Sequence, residues 1–191
     1  MAKEPGSIIV VSAPSGAGKT SIVKEILREF PELFFSISYT TRAKRENETD
    51  GVEYFFISED EFEKMIERDE FVEWEKFYDY YYGTSKKFIN EHINEGKSIV
   101  FEVDVIGALN IKKIYPEAKL IYIVPPSIDE LTNRLKNRKT ENEEDLRKRV
   151  ERAKMELSLK DKFDYFIDNE ELEKAKVHAK ELVKKIIKRN I

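Results

Sequence analysis

Short apolar runs recur along the chain and are separated by more polar stretches. Residues 8–11, 99–101, 120–124 and 165–167 are almost continuously apolar rather than alternating. Runs of this kind are typical of strands that are buried on both faces of a parallel sheet. They therefore predict the strands of one buried sheet.

Between these runs, apolar residues recur at the spacing of one helix face. Residues 21–30 and 128–135 show this spacing, and a third stretch with it begins at Glu170. Strands that alternate with helices form parallel sheets with right-handed crossovers. The pattern predicts an α/β fold with a doubly wound parallel sheet.

Two regions interrupt this alternation. Residues 54–82 are rich in aromatic side chains and predict a small mixed α/β lobe, in which short strands surround a helix at 59–68. Within it, Trp74 is predicted to be a core residue rather than a stacking platform. Residues 136–149 are almost entirely polar, and such charge runs are usually solvated loops or helix faces.

The composition narrows the possible classes of function. A chain of 191 residues, of which 40% are hydrophobic, suits one compact domain with an inserted lobe. The net charge of −4 provides no strong field for nucleic acid or an anionic membrane. There is no cysteine and the two histidines are far apart, which argues against a Cys- or His-ligated metal. Because the first apolar run is too short for a signal peptide or a membrane span, we expect a cytoplasmic protein without nucleic-acid or membrane partners.

The segment after the first predicted strand fits a phosphate-binding loop. It reads A-P-S-G-A-G-K-T and departs from the pattern G-x-x-x-x-G-K-[ST] only at its first position. Glycines let backbone N–H groups approach phosphate oxygens, and the start of the following helix adds partial positive charge. Lys19 is expected to reach the transferring phosphate, and Thr20 to offer its hydroxyl to Mg²⁺. The predicted ATP-binding residues are Ala13, Pro14, Ser15, Gly16, Ala17, Gly18, Lys19 and Thr20.

Two carboxylates follow the second predicted strand of the sheet. Glu102 and Asp104 lie at its carboxyl end, and ligands of open α/β sheets bind outside that edge. Asp104 could hold Mg²⁺ directly or through water. Alternatively, either carboxylate could cap the helix that follows.

A second anion site is indicated by two arginines that lie close together in sequence. Arg42 and Arg45 follow the hydroxyl-rich segment that begins at Ser38. Arginine pairs suit phosphate because each guanidinium can make bidentate, charge-assisted hydrogen bonds. Exposed arginines are often only surface residues, but the hydroxyls of Tyr54 and Tyr82 can also bind phosphate and strengthen the prediction.

Glu73 and Thr84 provide groups that could recognise a purine. A carboxylate can accept two hydrogen bonds at once, and guanine offers two adjacent donors, its N1–H and its 2-amino group. The hydroxyl of Thr84 or of Ser38 could satisfy the guanine O6. The spacing of these residues alone does not establish such a site.

Together, these segments resemble the guanylate kinase family over about residues 8–187. The phosphate loop is similar to the S-A-P-S-G-A-G-K form of bacterial members, in which alanine at position 13 is familiar. Further elements resemble family motifs at T-R-A-K-R (41–45), F-V-E-W (71–74), Y-Y-G-T (81–84), P-P-S (125–127) and D-N-E (168–170). The chain departs from the usual family residues at Lys44, Asn47, Lys139 and Glu102.

The resemblance implies roles for individual residues. Arg134, Arg138 and Arg149 match arginines that surround the transferring phosphoryl group in the family. With Lys19 they form the expected catalytic set, and Thr20 and Asp104 form the expected metal site. The residues expected to hold GMP are Ser38, Arg42, Arg45, Tyr54, Glu73, Tyr82, Thr84 and Glu102.

The resemblance also implies a domain plan and a reaction. One domain over 1–191 would contain a core (1–33, 85–133 and 151–191), a GMP-binding lobe (34–84) and a helical lid (134–150). The γ-phosphoryl of ATP would pass to GMP with the help of Mg²⁺, giving ADP and GDP. We expect ATP, GMP and dGMP as substrates, and a monomer or small homo-oligomer.

Two other functions compete with this interpretation. A guanylate-kinase-like module without activity would bind protein partners, but the presence of Lys19 and Thr20 argues against the loss of ATP binding. A related kinase would phosphorylate another nucleoside monophosphate or a phosphorylated ribose. Glu73 and Thr84 favour guanine over these acceptors.

Overall fold

The computed structural model describes residues 5–14, 16–46, 48–77, 79–136 and 143–188. Its strands are β1 (Ile8–Ser12), β2 (Phe34–Phe35), β3 (Ser38–Thr40), β4 (Tyr54–Phe56), β5 (Phe71–Phe77), β6 (Tyr80–Ser85), β7 (Ile99–Val103), β8 (Lys119–Val124) and β9 (Tyr165–Asp168). Its helices are α1 (Lys19–Glu29), α2 (Glu59–Glu67), α3 (Lys86–Asn94), α4 (Val105–Ile114), α5 (Ile128–Lys136), α6 (Glu143–Ser158) and α7 (Leu172–Lys188).

The central sheet has the strand order β2-β7-β1-β8-β9, and all its neighbouring strands are parallel. The four predicted apolar runs correspond to β1, β7, β8 and β9. From β1 the chain moves to one side for β2 and β7 and to the other side for β8 and β9. This order confirms the predicted doubly wound parallel sheet.

Neighbouring residues of β1 pack on opposite faces of the central sheet. Ile9 belongs to a buried cluster that includes Ile22 of α1 and Val183 of α7. Val10 belongs to a second cluster, which includes Ile111 of α4. Helices therefore cover both faces of the sheet, and this is why the run contains no solvent-facing position.

A second sheet, with the order β4-β3-β6-β5, forms the predicted lobe. Its β3–β4 pair is parallel and its other pairs are antiparallel. Phe62, Met65 and Phe71 fill the lobe core beneath α2. The side chain of Ser58 caps α2 by accepting a hydrogen bond from the N–H of Glu61 at 3.2 Å. The mixed α/β character of the lobe is confirmed.

Trp74 does not lie in the lobe core. Its side chain is 45% exposed and contacts the ring of Tyr81, with 5.9 Å between ring centroids. The prediction of a core tryptophan is wrong, because α2 brings Phe62 and Met65, rather than the indole, into the buried cluster.

The parallel register brings two chemically important segments to one edge of the central sheet. Ser12 at the end of β1 pairs with Val103 at the end of β7. The loop that follows β1 and the carboxylates at the end of β7 therefore lie side by side. Gly16 and Gly18 both have φ of 88°, a left-handed conformation that favours glycine. Gly18 is the N-cap residue of α1, so α1 begins directly after the loop.

Two further helices flank residues 137–142, which lie outside the described residues. Helix α5 ends at Lys136, and α6 continues well past residue 150. The predicted boundaries between core, lobe and lid stay predictions. Within the described ranges, none of the helices is both long and apolar enough to cross a membrane.

The lobe core generates a stability prediction. Phe62 is fully buried and its ring stacks on those of Phe71 and Tyr81, at centroid distances of 4.4 and 5.1 Å. Phe62→Ala should lower the free energy of unfolding by about 3–5 kcal/mol, because it removes a buried ring and leaves a cavity. Hydrogen exchange should show lost protection in β5 and β6. Equal loss of protection in β1 and β8 would mean that the lobe does not open separately.

Candidate active site

A cavity of about 320 Å³ lies between the edge of the central sheet and the lobe. Both of its sides carry residues that the sequence singled out, together with several that it did not. The lining residues are Ala13, Lys19, Ser38, Tyr54, Glu73, Glu75, Tyr82, Gly83, Glu102, Val103, Asp104, Arg149, Arg152 and Glu156.

The phosphate loop is joined to the end of β7 by two side chains of α1. The Lys19 ammonium donates a hydrogen bond to the main-chain oxygen of Val103 at 2.9 Å. The Thr20 hydroxyl donates to Oε1 of Glu102 at 2.5 Å. Both groups therefore already face the edge of the sheet where a triphosphate would lie. Of the predicted loop residues, Ser15 lies outside the described residues.

Asn169 fixes the phosphate loop from the other side. Its side-chain amide is buried and donates to the main-chain oxygen of Ala17 at 2.7 Å. A Cβ added to Gly18 would lie only 2.5 Å from this amide nitrogen. Gly18 is therefore required both by its backbone conformation and by the close approach of Asn169. In the sequence this asparagine is recognisable only as part of a family motif, because its contact spans 152 positions of the chain.

Asp104 caps helix α4. Its Oδ1 accepts hydrogen bonds from the N–H groups of Ile106 and Gly107, at 2.8 and 3.0 Å. This is the capping geometry that the sequence left open as an alternative to metal binding. The proposed part of Asp104 in a metal site stays a prediction. Among the described residues, no group of three or more His, Cys, Asp or Glu side chains could by itself hold a metal ion.

Glu73 is a buried carboxylate that faces the cavity. It is paired across the strands with Thr84, whose hydroxyl donates to its Oε1 at 2.5 Å. Burial raises the pKa of Glu73 to about 7; the bond from Thr84 opposes this shift, and the negative charges of Asp104 and Glu75 add to it. In the free protein, Glu73 is therefore fully ionised only above neutral pH.

Helix α4 leaves room for the carboxylate of Glu73 at Gly107. A Cβ added to Gly107 would lie 2.9 Å from Oε2 of Glu73 and 3.3 Å from Oδ2 of Asp104. A side chain at this position would clash with the carboxylate of Glu73. The orientation of Glu73 thus depends on its partner in the lobe and on the start of a core helix.

The two arginines of the predicted phosphate site are placed differently. The Arg42 guanidinium makes two hydrogen bonds to the carboxylate of Glu48, at 3.0 and 2.7 Å, and lies over the Tyr54 ring. Arg45 is exposed and contacts Glu48 through its main-chain N–H, at 2.8 Å. Neither arginine lines the cavity, whereas Tyr54 and Tyr82 do.

The predicted phosphoryl-transfer arginines are only partly described. Arg149 of α6 lines the cavity. Arg134 belongs to α5, and Arg138 lies outside the described residues. Their roles stay predictions.

Three charged residues of the cavity were missed by the sequence analysis: Glu75, Arg152 and Glu156. Glu75 is two residues from Glu73 along β5, and Arg152 is three residues from Arg149 along α6. These spacings place each pair on one face of its element. The same spacings were available in the sequence and could have drawn attention to both residues.

Comparison with known proteins places the chain in a family. The family model described as guanylate kinase matches residues 6–186. The chain belongs to the guanylate kinase family. The guanylate kinase of Thermotoga maritima is 50% identical over 170 residues, which cover 89% of this chain and 82% of that protein. The guanylate kinase of Caldanaerobacter subterraneus is 47% identical over 173 residues, covering 91% and 84% of the two chains.

The fold agrees with this assignment. The crystal structure of the guanylate kinase from Anaplasma phagocytophilum superposes with a TM-score of 0.79 and 26% sequence identity, covering 98% of this chain and 89% of that one. The expected family, fold and enzyme class, an ATP-dependent kinase that phosphorylates GMP, are thereby confirmed.

The unusual environment of Glu73 predicts a pH-dependent stability. Because its pKa is raised from 4.5 to about 7, its contribution to stability is full below pH 4.5 and is lost as the pH rises through 7. Glu73→Gln removes the group whose ionisation lowers the stability at high pH. The amide oxygen of the glutamine can still accept the hydrogen bond from the Thr84 hydroxyl. The variant should melt at a higher temperature than the wild type at about pH 8.5, with a smaller difference at about pH 5.

Thermal unfolding followed by circular dichroism at both pH values measures this effect. Glu67→Gln, at an exposed position of α2, is the matched control and should show no such pH-dependent gain. The melting temperature of Glu73→Gln minus that of the wild type should be larger at the higher pH. If this difference is smaller at the higher pH than at the lower, the raised pKa of Glu73 is contradicted.

Proposed function

We propose that this chain transfers the γ-phosphoryl group of ATP to GMP in the cavity between the central sheet and the lobe, giving ADP and GDP. The observation that carries the proposal is one cavity lined both by Lys19 of the phosphate loop and by the buried carboxylate of Glu73. The first suits a triphosphate, and the second suits the donor edge of guanine.

ATP would be held by the loop from Ala13 to Thr20. Its backbone N–H groups and the start of α1 favour the β- and γ-phosphates. Lys19 would exchange its hydrogen bond to Val103 for one to the transferring phosphate. This exchange costs little, because the ammonium trades one oxygen acceptor for a more strongly charged one.

The residues at the end of β7 fit a Mg²⁺ ion brought by ATP. Mg²⁺ in kinases is bound by one or two protein oxygens together with phosphate oxygens and water. The hydroxyl of Thr20, which its hydrogen bond to Glu102 holds at the end of β7, would face the ion, and Asp104 would contribute directly or through water. When bound, Mg²⁺ neutralises charge on the β- and γ-phosphates.

GMP would bind on the lobe side of the cavity. Glu73 would accept hydrogen bonds from N1–H and the 2-amino group, while the hydroxyls of Thr84 and Ser38 are the candidates for O6. Arg42, Arg45, Tyr54 and Tyr82 would hold the phosphate, with Arg42 oriented by Glu48. Glu102 would make a further contact to GMP. None of these roles requires the ribose 2′-hydroxyl, so dGMP is proposed as a second acceptor.

Catalysis would consist of positioning and charge neutralisation. The acceptor phosphate is already an anion at neutral pH, so the reaction needs no strong general base. Lys19, Arg134, Arg138 and Arg149 would stabilise the charge of the transferring group. Closure of the lid at 134–150 would exclude water, whose competing attack hydrolyses ATP. We also propose that the protein is cytoplasmic and is a monomer or a small homo-oligomer.

Removing the lysine of the phosphate loop tests the donor site. Lys19→Ala should fold normally, because the ammonium faces the cavity rather than the core, and should lower kcat by at least about 100-fold. A coupled assay of ADP formation with GMP measures this. Lys24→Ala, at an exposed position of the same helix, is the control and should keep its turnover. A folded Lys19→Ala variant with nearly normal kcat would show that ATP binds elsewhere.

Base selectivity tests the acceptor site. Adenine presents a lone pair at N1, which would leave Glu73 facing an acceptor, and such mismatches in a buried site discriminate by ~10⁴ or more. IMP keeps N1–H but lacks the 2-amino group, so its kcat/KM should fall between those of GMP and AMP. Glu73→Gln should reduce kcat/KM for GMP most and narrow its advantage over AMP.

The assay compares kcat/KM for the three nucleotides in the wild type and in Glu73→Gln. A wild type that prefers AMP would point to a related kinase with another acceptor. Unchanged ratios in Glu73→Gln would mean that a different residue reads the base.

A further inference from the structure

Arg152 connects three elements around the cavity. It lies on α6, and its two terminal nitrogens donate to the two carboxylate oxygens of Glu75 on β5, at 2.8 and 2.7 Å. Its Nε donates to Oε1 of Glu156, one turn later on α6, at 2.9 Å. Oδ1 of Asp104, at the start of α4, lies 3.6 Å from Nη2. One guanidinium therefore joins the lobe, the core and α6.

These contacts are of the strong kind. The fork of the guanidinium matches the carboxylate of Glu75, and this bidentate geometry fixes orientation as well as distance. The side chain of Arg152 is only 20% exposed and that of Glu156 only 3%. Oε2 of Glu156 is buried and makes no hydrogen bond within the described residues. Glu156 thus depends on Arg152 for charge compensation, and loss of Arg152 would leave a buried carboxylate poorly paired.

The contact between Arg152 and Glu75 connects the proposed GMP-binding side of the cavity with the proposed phosphoryl-transfer side. Glu75 lies on the same face of β5 as Glu73, the proposed guanine-binding residue. Arg152 lies on the same face of α6 as Arg149, a proposed phosphoryl-transfer residue. All four residues line the one cavity. A shift of α6 away from β5 would therefore move Arg149 relative to a nucleotide bound at Glu73.

We propose that Arg152 is a positioning residue, which holds α6 against β5 through Glu75 and thereby keeps Arg149 at the transferring phosphoryl group. This inference rests on the proposed function of Arg149. Its hydrogen bonds to Glu75 and Glu156 use one N–H of each guanidinium nitrogen and fix the orientation of the side chain, so the proposed role needs no contact with the substrate. Displacements of about 1 Å in a catalytic group can cost ~100-fold in rate.

A double-mutant cycle tests whether Arg152 acts through Arg149. Arg152→Met should lower kcat for GMP phosphorylation by about 10-fold or more and change the KM for ATP less than about twofold. In the Arg149→Ala background, the same substitution should lower kcat by less than about twofold. Arg152→Lys keeps the charge but not the fork and should give an intermediate kcat.

The controls separate positioning from stability. Arg68→Met removes another arginine that lies near two carboxylates, those of Glu61 and Glu70, on the lobe but outside the cavity, and it should leave kcat unchanged. Circular dichroism and melting temperature are measured for every variant. If Arg152→Met does not fold, Glu75→Gln, which weakens the same contact from the more exposed side, takes its place in the cycle.

The outcomes are distinct. Non-additive losses support the proposal. If the fold-losses of kcat from the two single substitutions multiply in the double variant, Arg152 acts independently of Arg149 and the proposal is overturned. If Arg152→Met lowers the melting temperature but leaves kcat normal, Arg152 has only a structural role, which also overturns it. If Arg149→Ala alone keeps a normal kcat, the proposed role of Arg149 is wrong and so is this inference. The proposed selectivity of Glu73 for GMP is tested separately, by the comparison of kcat/KM for the three nucleotides.

Discussion

The site must bind two polyanionic nucleotides, yet its cavity is lined by five carboxylates, and the arrangement depends on giving each carboxylate a partner. Glu102 accepts from Thr20, Asp104 accepts from the start of α4, and Glu73 accepts from Thr84. Glu75 and Glu156 share the guanidinium of Arg152. The neutral donors stabilise the carboxylates, and the positive charge of Arg152 offsets part of the repulsion between them and the incoming phosphates.

Glu73 and Glu102 both accept a hydrogen bond from a neutral hydroxyl, but of the two only Glu73 is buried, and this burial raises its pKa. The buried charge disfavours folding, but the hydrogen bonds from guanine would favour the ionised form. A residue that destabilises the free protein and is stabilised by its substrate is a common feature of selective sites. The same burial leaves the carboxylate of Glu73 poorly paired when the bound base offers no donor at N1, which disfavours such a base.

The parallel sheet explains how the proposed donor and acceptor sites come to face each other. The ends of β1 and β7 lie at the same edge, so the phosphate loop and the carboxylates of β7 form one side of the cavity. The lobe inserted between β2 and β7 supplies the other side. Its strands β5 and β6 pair Glu73 with Thr84. Arg152 of α6 hydrogen-bonds Glu75 of β5, and Gly107 of α4 leaves room for the carboxylate of Glu73.

The sequence by itself determined the features that rest on contiguous residues. Continuous apolar runs identified β1, β7, β8 and β9, four of the five strands of the central sheet, because strands buried on both faces have no polar positions. The two-residue strand β2 was not predicted. The phosphate loop was identified in the same way, since a strand, two glycines, Lys19 and a helix follow each other directly. The acceptor residues came from the family resemblance, since spacing alone did not connect Glu73 with guanine. Only the tertiary structure decided the exposure of Trp74, the cap at Asp104, the raised pKa of Glu73 and the contact between Arg152 and Glu75. The cap at Asp104 uses nearby N–H groups, but the raised pKa of Glu73 depends in part on Asp104, and 77 positions separate Arg152 from Glu75. Local patterns carry no information about which distant segment will lie opposite a side chain, and that neighbour sets its burial and charge.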